Sequence, residues 1–213
     1  MKVVKEGLWV LIPATIIPII LIWLTLAPWW ALMFIFTALM IFFFRDPARV
    51  LPSIPNAVFA PADGRIIEIL HEPNELTLFV ELGLINSHLQ RAPIGGTVTK
   101  ITRTTGKHRI LNFFSPKINF GNQTNKAKID NAQNEIEIEL ENSKKMRLTQ
   151  IVGMFARRLK SYVKVGQKID AGEKVGLIYF GSMVKLQIQG QFELNVQKGA
   201  KVKAAKTIIA YVK

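Results

Sequence analysis

The chain has 213 residues, which is enough for one ordinary domain and a membrane anchor. It contains no cysteine, which excludes disulfides and thiolate metal sites, and we predict no metal centre. Lysine and arginine number 28 against 15 acidic residues, a formal net charge of +13. No basic stripe interleaved with aromatic residues and no recognition-helix pattern accompanies this charge, so we predict no nucleic-acid partner.

The first part of the chain predicts a membrane anchor. Residues 7–44 carry no ionisable side chain, and about 20 apolar residues suffice to cross a bilayer. Ala27-Pro28 divides this stretch, and we predict a hairpin of two helices, Leu8–Leu26 and Trp29–Phe44. One tilted or broken span, or a buried helix pair, is the alternative. Both ends are expected on the cytoplasmic side of the inner membrane, with a hairpin that either spans the membrane or is re-entrant, because basic residues flank the stretch on both sides: Lys2, Lys5, Arg45 and Arg49.

We predict that residues 1–50 form the anchor and that residues 51–213 form a separate β-rich domain. Residues 45–213 hold +12 of the net charge. A basic domain tethered to a bilayer is attracted to anionic headgroups, with about 1 kcal/mol for each nearby Lys or Arg. An anionic phospholipid membrane is therefore the expected partner.

The period of apolar residues changes from helical to alternating after Arg45, which indicates strands. Asn119–Asn134 is polar and is predicted to be an exposed loop, and Ile151–Leu159 fits either a short helix or a strand. The predicted strands are Arg65–Leu70, Leu76–Leu82, Thr97–Ile101, Glu135–Leu140, Lys174–Phe180, Met183–Gln189 and Thr207–Val212.

Two short patterns each occur twice, at offsets of 32 and 33 residues. A Pro-x-x-Gly turn followed by a strand starts at Pro61 and again at Pro93, and Gly-x-Lys-(Ile/Val)-x-Ala starts at Gly166 and again at Gly199. The second pattern resembles the hammerhead units of biotinyl and lipoyl carrier domains. We predict a mainly β fold, a β-sandwich with quasi-repeated halves, preceded by the helical membrane hairpin.

Five motifs in order resemble the short-form phosphatidylserine decarboxylases, the pyruvoyl enzymes of bacteria and archaea. The resemblance covers the chain from the anchor to the C-terminus. Each motif is weak alone, but their shared order is specific. The motifs are Phe43-Phe44-Arg45-Asp46-Pro47-x-Arg49, Pro61-Ala62-Asp63-Gly64, His88-x-x-Arg91-Ala92-Pro93, Gln150-Ile151-x-Gly153-x-x-Ala156-Arg157-Arg158 and Phe180-Gly181-Ser182.

The resemblance implies that the chain cuts itself between Gly181 and Ser182. The Ser182 hydroxyl would attack the Gly181 carbonyl, and elimination would then release chain 1–181. The residue left at 182 would become a pyruvoyl group on chain 182–213. That cofactor, formed from Ser182, would make a Schiff base with the substrate amine and act as an electron sink for decarboxylation. An ordinary turn serine is the alternative interpretation.

The resemblance also implies roles for Asp63 and His88. Asp63 would be a base or an orienting carboxylate for self-cleavage, although an aspartate in a turn ordinarily bonds the backbone. His88 would move the protons of elimination and of carbanion reprotonation, for which its near-neutral pKa is suited. Arg91 is a candidate for binding the phosphate or carboxylate of the substrate, because arginine makes bidentate contacts with such groups.

The chain departs from the family pattern at Asn86, where an aspartate is usual, and at Met183, where arginine or threonine is usual. Asn86 removes a potential charge partner of His88. Met183 is expected to change the packing beside residue 182. The departure at Asn86 leaves open which residue relays the protons, whereas Met183 is expected to leave formation of the pyruvoyl group unaffected.

The expected function is membrane-associated decarboxylation of phosphatidylserine to phosphatidylethanolamine. An ether-linked archaeal lipid is an alternative substrate. A different class, a tethered carrier or binding module, would use Lys185 as its attachment point, but Met183-Val184-Lys185 breaks the Met-Lys-Met pattern of a biotin acceptor. Chains 1–181 and 182–213 are expected to stay associated, and a homodimer is left open.

Overall fold

The computed structural model of the chain describes residues 2–23, 29–83, 85–106, 130–141, 143–153, 159–179 and 182–213, with only the main chain of Lys2 and Ser182. The chain divides into two compact units, Met1–Ala48 and Arg49–Lys213.

The first unit is a pair of apolar helices. Helix α1 spans Leu8–Trp23 after a 3-10 turn at Lys5–Gly7, and helix α2 spans Trp29–Phe43. The predicted break at Ala27-Pro28 lies outside the described residues, and both prolines within 8–23 stay inside α1. A short antiparallel pair of strands, β1 (Lys2–Val3) and β2 (Arg45–Asp46), joins the two ends of the unit. The segment Lys5–Trp23, with a mean hydropathy of 1.9, is long and apolar enough to cross a membrane, whereas α2 is apolar but shorter.

The second unit is built of antiparallel strands, which confirms the predicted mainly β class. All seven predicted strands are present among the described residues, although Phe180, the predicted end of one of them, lies outside these residues. The strands are β3 (Ala57–Phe59), β4 (Gly64–Glu72), β5 (Glu75–Leu82), β6 (Leu89–Arg91), β7 (Gly96–Thr104), β8 (Gln133–Glu139), β9 (Lys145–Val152), β10 (Leu159–Ser161), β11 (Lys168–Ile169), β12 (Lys174–Ile178), β13 (Ser182–Gln189), β14 (Phe192–Leu194), β15 (Lys201–Val202) and β16 (Ile208–Val212).

Two expectations are refined. The undecided segment Ile151–Leu159 contains the end of β9 and the start of β10, with 154–158 outside the described residues. The prediction of a loop to Asn134 was wrong at its end, because Gln133 and Asn134 begin β8. Asn134 is fully buried there, and its amide nitrogen donates hydrogen bonds to Gln150 and Ser161.

Eight strands form one antiparallel sheet in the order β11-β7-β8-β9-β13-β5-β4-β15. Two three-stranded sheets, β10-β12-β6 and β14-β16-β3, contribute to the same hydrophobic core. Alternate residues of each long strand point into this core, as the period of a pleated strand requires. In β13 these residues are Val184, Leu186 and Ile188.

The repeated sequence patterns make corresponding contacts. Gly166 donates its N–H to Val98, and Gly199 donates to Ile66, each over 2.7 Å. The Pro-x-x-Gly turns need glycine because the next strand passes close by. A Cβ at Gly64 would lie 2.2 Å from the Glu81 carbonyl oxygen, and a Cβ at Gly96 would lie 2.5 Å from that of Glu139.

Candidate active site

Ser182 begins β13, a strand paired along its whole length within the large sheet. Its main chain pairs with Leu82 at the end of β5 and with Val152 at the end of β9. Strand β4 begins at the same edge, since Arg65 pairs with Glu81. We call this end of the sheet, where β13 and β4 begin and β5 and β9 end, the Ser182 edge. Phe180 and Gly181 lie outside the described residues, so the structure describes the predicted cleavage site from Ser182 onwards.

His88 is held beside the segment that leads into Ser182. It lies at the end of the loop that leaves β5, and only 1% of its surface is exposed. Its carbonyl oxygen accepts a hydrogen bond of 3.2 Å from the N–H of Ile178, four residues before Ser182. The His88 loop therefore leaves β5 at the end of the sheet where Ser182 begins β13, and β6, which follows His88, pairs with β12.

The ring of His88 has a defined tautomer when it is neutral. Its Nδ1 lies 2.9 Å from the main-chain carbonyl oxygen of Asn86. Because a carbonyl only accepts, Nδ1 carries the hydrogen, and Nε2 is the basic nitrogen. The Asn86 side chain instead accepts from the N–H of Gly83 over 2.9 Å, so it shapes the loop. The substitution at Asn86 thus leaves this main-chain contact of His88 in place.

Asp63 directly precedes β4 and is also at the Ser182 edge. Strand β4 is the second neighbour of β13 in the sheet, which puts the two strands about 10 Å apart at ~4.8 Å between neighbours. Its carboxylate accepts two hydrogen bonds from Nη2 of Arg49, of 2.8 Å at Oδ1 and 2.6 Å at Oδ2. Oδ1 also accepts from the N–H of Ala204 over 2.8 Å. The structure gives Asp63 no hydrogen bond to His88, although both are among the described residues. Asp63 therefore accepts from the backbone of a residue far along the chain and also forms an ion pair with Arg49.

A chain of buried amides ends at His88. Gln90 donates to the His88 carbonyl, Gln150 donates to Gln90, and Asn134 donates to Gln150, each over 2.7 Å. Asn134 also donates to Ser161 over 2.9 Å. The chain connects β6, β9, β8 and β10, and these side chains are fully buried except Ser161. In the sequence, Gln150 belongs to one of the five motifs, and the further signal of its role is an amide among the apolar residues Leu148, Ile151 and Val152 of β9.

Arg91 makes a structural contact. Its Nη1 donates to the carbonyl oxygen of Gly172, in the turn between β11 and β12, over 2.9 Å. Binding of a substrate phosphate or carboxylate by Arg91 stays a prediction. Arg157 and Arg158 lie outside the described residues.

Glu81 is a titratable residue at the Ser182 edge that sequence analysis did not single out. It pairs with Met183 on one side and with Arg65 on the other. Met183 is fully buried against Phe79 and Ile151 on the sheet face opposite the main core. Oε1 of Glu81 is buried without a hydrogen-bond partner among the described residues. Burial raises the pKa of Glu81 to about 7, and the charge of Arg65 partly opposes this shift.

This pKa predicts a pH-dependent effect of Glu81→Gln on stability. A carboxyl whose pKa is higher in the folded state contributes stability below about pH 4.5, which is lost as pH rises to about 7. We expect the neutral glutamine to raise the free energy of unfolding by about 1–2 kcal/mol at pH 8, a value discounted for partial exposure. Urea unfolding at pH 4.5 and pH 8, with Ser182→Ala in both proteins, measures it. An effect that is equal at both pH values would contradict the assignment.

Comparison with known proteins agrees with the motifs. A family model described as phosphatidylserine decarboxylase matches residues 36–210. A phosphatidylserine decarboxylase proenzyme of Chlorobium phaeobacteroides (strain BS1) is 37% identical over 181 residues, covering 81% of this chain and 78% of the relative. The protein of the same name from Burkholderia multivorans is 35% identical over 189 residues, covering 86% and 81%. One from Neisseria gonorrhoeae is 32% identical over 189 residues, covering 85% and 69%. The chain therefore belongs to the phosphatidylserine decarboxylase family, a family of carboxy-lyases.

Proposed function

We propose that this protein is a proenzyme that cuts itself between Gly181 and Ser182 and then converts phosphatidylserine to phosphatidylethanolamine and CO2. The observation that carries the proposal is the position of Ser182. It begins a strand of the large sheet, at the edge from which the His88 loop leaves and at which the Asp63 turn lies. The family match and the word proenzyme in the relatives' names support it.

In the proposed self-cleavage, the Ser182 hydroxyl oxygen attacks the carbonyl carbon of Gly181, and the amide nitrogen of residue 182 leaves with the proton. The product is an ester. A base then removes the α-proton of residue 182, the Cβ–O bond breaks, and Gly181 leaves as a carboxylate. Addition of water to the remaining dehydroalanine, with loss of ammonia, gives the keto group. Nε2 of His88 and the carboxylate of Asp63 are the proposed proton acceptors, since serine needs a base to be a good nucleophile.

A pyruvoyl group at position 182 would supply an electron sink for the electron pair left by CO2. The position fits such a group because β13 is paired with β5 and β9 over its length. A new chain that starts at 182 would remain held in the sheet, with its first residue beside the His88 loop. His88 would then act as a general acid that returns a proton to the substrate carbon.

The membrane part of the proposal rests on α1, α2 and the charge of the second unit. We propose that the apolar helices attach the protein to the cytoplasmic face of the inner membrane and that the Ser182 edge faces the bilayer. The net +12 of residues 45–213 would attract anionic phosphatidylserine. The headgroup chemistry is the same for diacyl and archaeal ether lipids, so both remain candidate substrates.

The charge predicts salt-sensitive binding of a truncated protein to vesicles. A chain of residues 45–213 is expected to process itself and to bind vesicles that contain phosphatidylserine in preference to neutral ones. Raising the salt concentration should weaken its binding and activity more than those of the full-length protein, because the Debye length is about 8 Å at physiological ionic strength. Vesicle co-sedimentation over a salt series tests this. Binding that ignores both salt and anionic lipid would contradict the electrostatic part.

The carrier alternative is disfavoured by the place of Lys185. This residue lies within β13 and pairs with Phe79 and Thr149, whereas an attachment lysine must project from an exposed turn to meet its ligase. Its partial burial also lowers its pKa.

The decisive experiment for the function is conversion of lipid. Purified protein is incubated with vesicles of phosphatidylserine and, separately, of the ether-linked serine lipid, and the lipids are analysed by mass spectrometry. We expect loss of CO2 from at least the diacyl lipid, and no conversion by the Ser182→Ala protein. A self-cleaved protein that converts neither lipid would contradict the proposed substrates, while added mass on Lys185 would support a carrier.

A further inference from the structure

Arg49 contacts a proposed active-site residue. Its place after the apolar stretch predicted a role at the membrane surface. In the structure its Nη2 lies 2.8 Å and 2.6 Å from the two oxygens of Asp63. The two side chains are only 10% and 9% exposed. A charged pair so far removed from water has a desolvation penalty that an exposed pair avoids.

The fold does not need this pair to make the turn. The second Pro-x-x-Gly repeat places Gly95 where the first has Asp63, at the same offset of 32 residues. In the first repeat the N–H of Ala204 donates to Asp63. In the second, the N of Ala171 lies 3.5 Å from where a Cβ of Gly95 would stand, and no carboxylate is present. The same turn thus forms without a carboxylate, and Asp63 is an addition to it.

Stability alone does not explain Arg49 either. Its Nε is buried without a hydrogen-bond partner among the described residues, and such an atom costs stability. Replacing a buried ion pair by apolar side chains of similar volume is often neutral or stabilising. What the guanidinium does provide is orientation. It contacts both carboxylate oxygens, and Oδ1 also accepts from the N–H of Ala204.

We propose that Arg49 is a positioning residue for self-cleavage, which orients the Asp63 carboxylate at the Ser182 edge. Arg49 is the first residue of the second unit, directly after the helical unit. Maturation therefore requires the chain that leaves the helical unit to be in its folded place. This inference rests on the proposed function, because it assigns Arg49 a role only if Asp63 takes part in the self-cleavage.

The test follows self-cleavage of the full-length protein after synthesis in a cell-free system with detergent or vesicles, where the whole chain is the starting material. The variants are Arg49→Ala, Arg49→Lys and Arg49→Met, with Arg103→Ala as the matched control at an exposed position of β7. We expect Arg49→Ala and Arg49→Met to cleave about 100-fold more slowly, the cost of a misplaced reacting group. Arg103→Ala should cleave at the wild-type rate. Millimolar guanidinium should partly restore Arg49→Ala, and Arg49→Lys should recover part of the rate.

The outcomes separate the inference from the proposed function. If the wild-type chain does not cleave, the proposed function fails. If the wild-type chain cleaves and a folded Arg49→Ala or Arg49→Met protein matches its rate, the positioning role alone is overturned. Thermal melting reports folding in Ser182→Ala versions of each variant. Loss of the fold in all three variants, without rescue by guanidinium, would assign the pair to stability and would also overturn the inference. Rescue by guanidinium at an unchanged melting temperature supports it.

Discussion

The wild-type protein is expected to separate into chains 1–181 and 182–213 under denaturing conditions, whereas Ser182→Ala is expected to remain a single chain of 213 residues. The reason is that the alanine lacks the hydroxyl that must attack the Gly181 carbonyl. Intact-mass spectrometry after denaturation measures both states. The small chain should carry a pyruvoyl group at its first residue and should be blocked to N-terminal sequencing.

A matched control for this variant is Ser53→Ala, at an exposed position far along the chain from β13. It should cleave like the wild type and should retain full activity. An active preparation that consists only of uncut, unmodified chains would rule out the pyruvoyl proposal, while leaving the family assignment untouched.

His88→Ala is expected to lower the rate of decarboxylation by about 100- to 10,000-fold, the range typical of a lost general acid or base. The physical reason is the loss of Nε2, the basic nitrogen left by the Nδ1 contact with Asn86. Assays on phosphatidylserine vesicles with protein that has already been cleaved measure this step alone, and the time course of cleavage measures the other. His71→Ala, at an exposed position of β4, is the control. Wild-type rates in both steps would show that His88 has no role in proton transfer.

The companion variant at Asp63 should be asparagine. A turn position ordinarily tolerates alanine, but alanine at position 63 would leave the buried guanidinium of Arg49 without its partner, at a cost of about 3–5 kcal/mol. Asp63→Asn keeps the shape while removing the charge, and it should slow self-cleavage with a smaller loss of stability.

Local pattern predicted the strands well where alternation is strict. Glu135–Leu140 alternates acidic and apolar residues, and β8 follows it closely. Strand β9, Lys145–Val152, escaped notice because its inner residues Thr149 and Gln150 interrupt the apolar pattern. Gln150 is buried because its amide is satisfied by Gln90 and Asn134, a compensation that depends on tertiary contacts.

The candidate site was predictable only in part, for a similar reason. Ordered motifs pointed to Asp63, His88 and Ser182, but motif spacing gives no distances between side chains. The sequence indicated only that Arg49 is a basic residue flanking the apolar stretch. Its ion pair with the carboxylate of Asp63, 14 residues further along the chain, depends on the fold. Glu81 was missed because its environment is set by Met183 and Arg65 from two other strands.

The pairing of β13 with β5 and β9 has a consequence for the cleaved protein. If the bond before Ser182 is cut as proposed, the sheet is shared between two chains, and complete unfolding also requires the chains to dissociate. The apparent stability of the mature form would then rise with protein concentration, by mass action, while that of the uncut precursor would not. Unfolding by heat would also be harder to reverse, because chain 182–213 must insert again between β5 and β9 of a separate chain. The stability of the mature protein would then be set by its rate of unfolding and no longer by a reversible folding equilibrium.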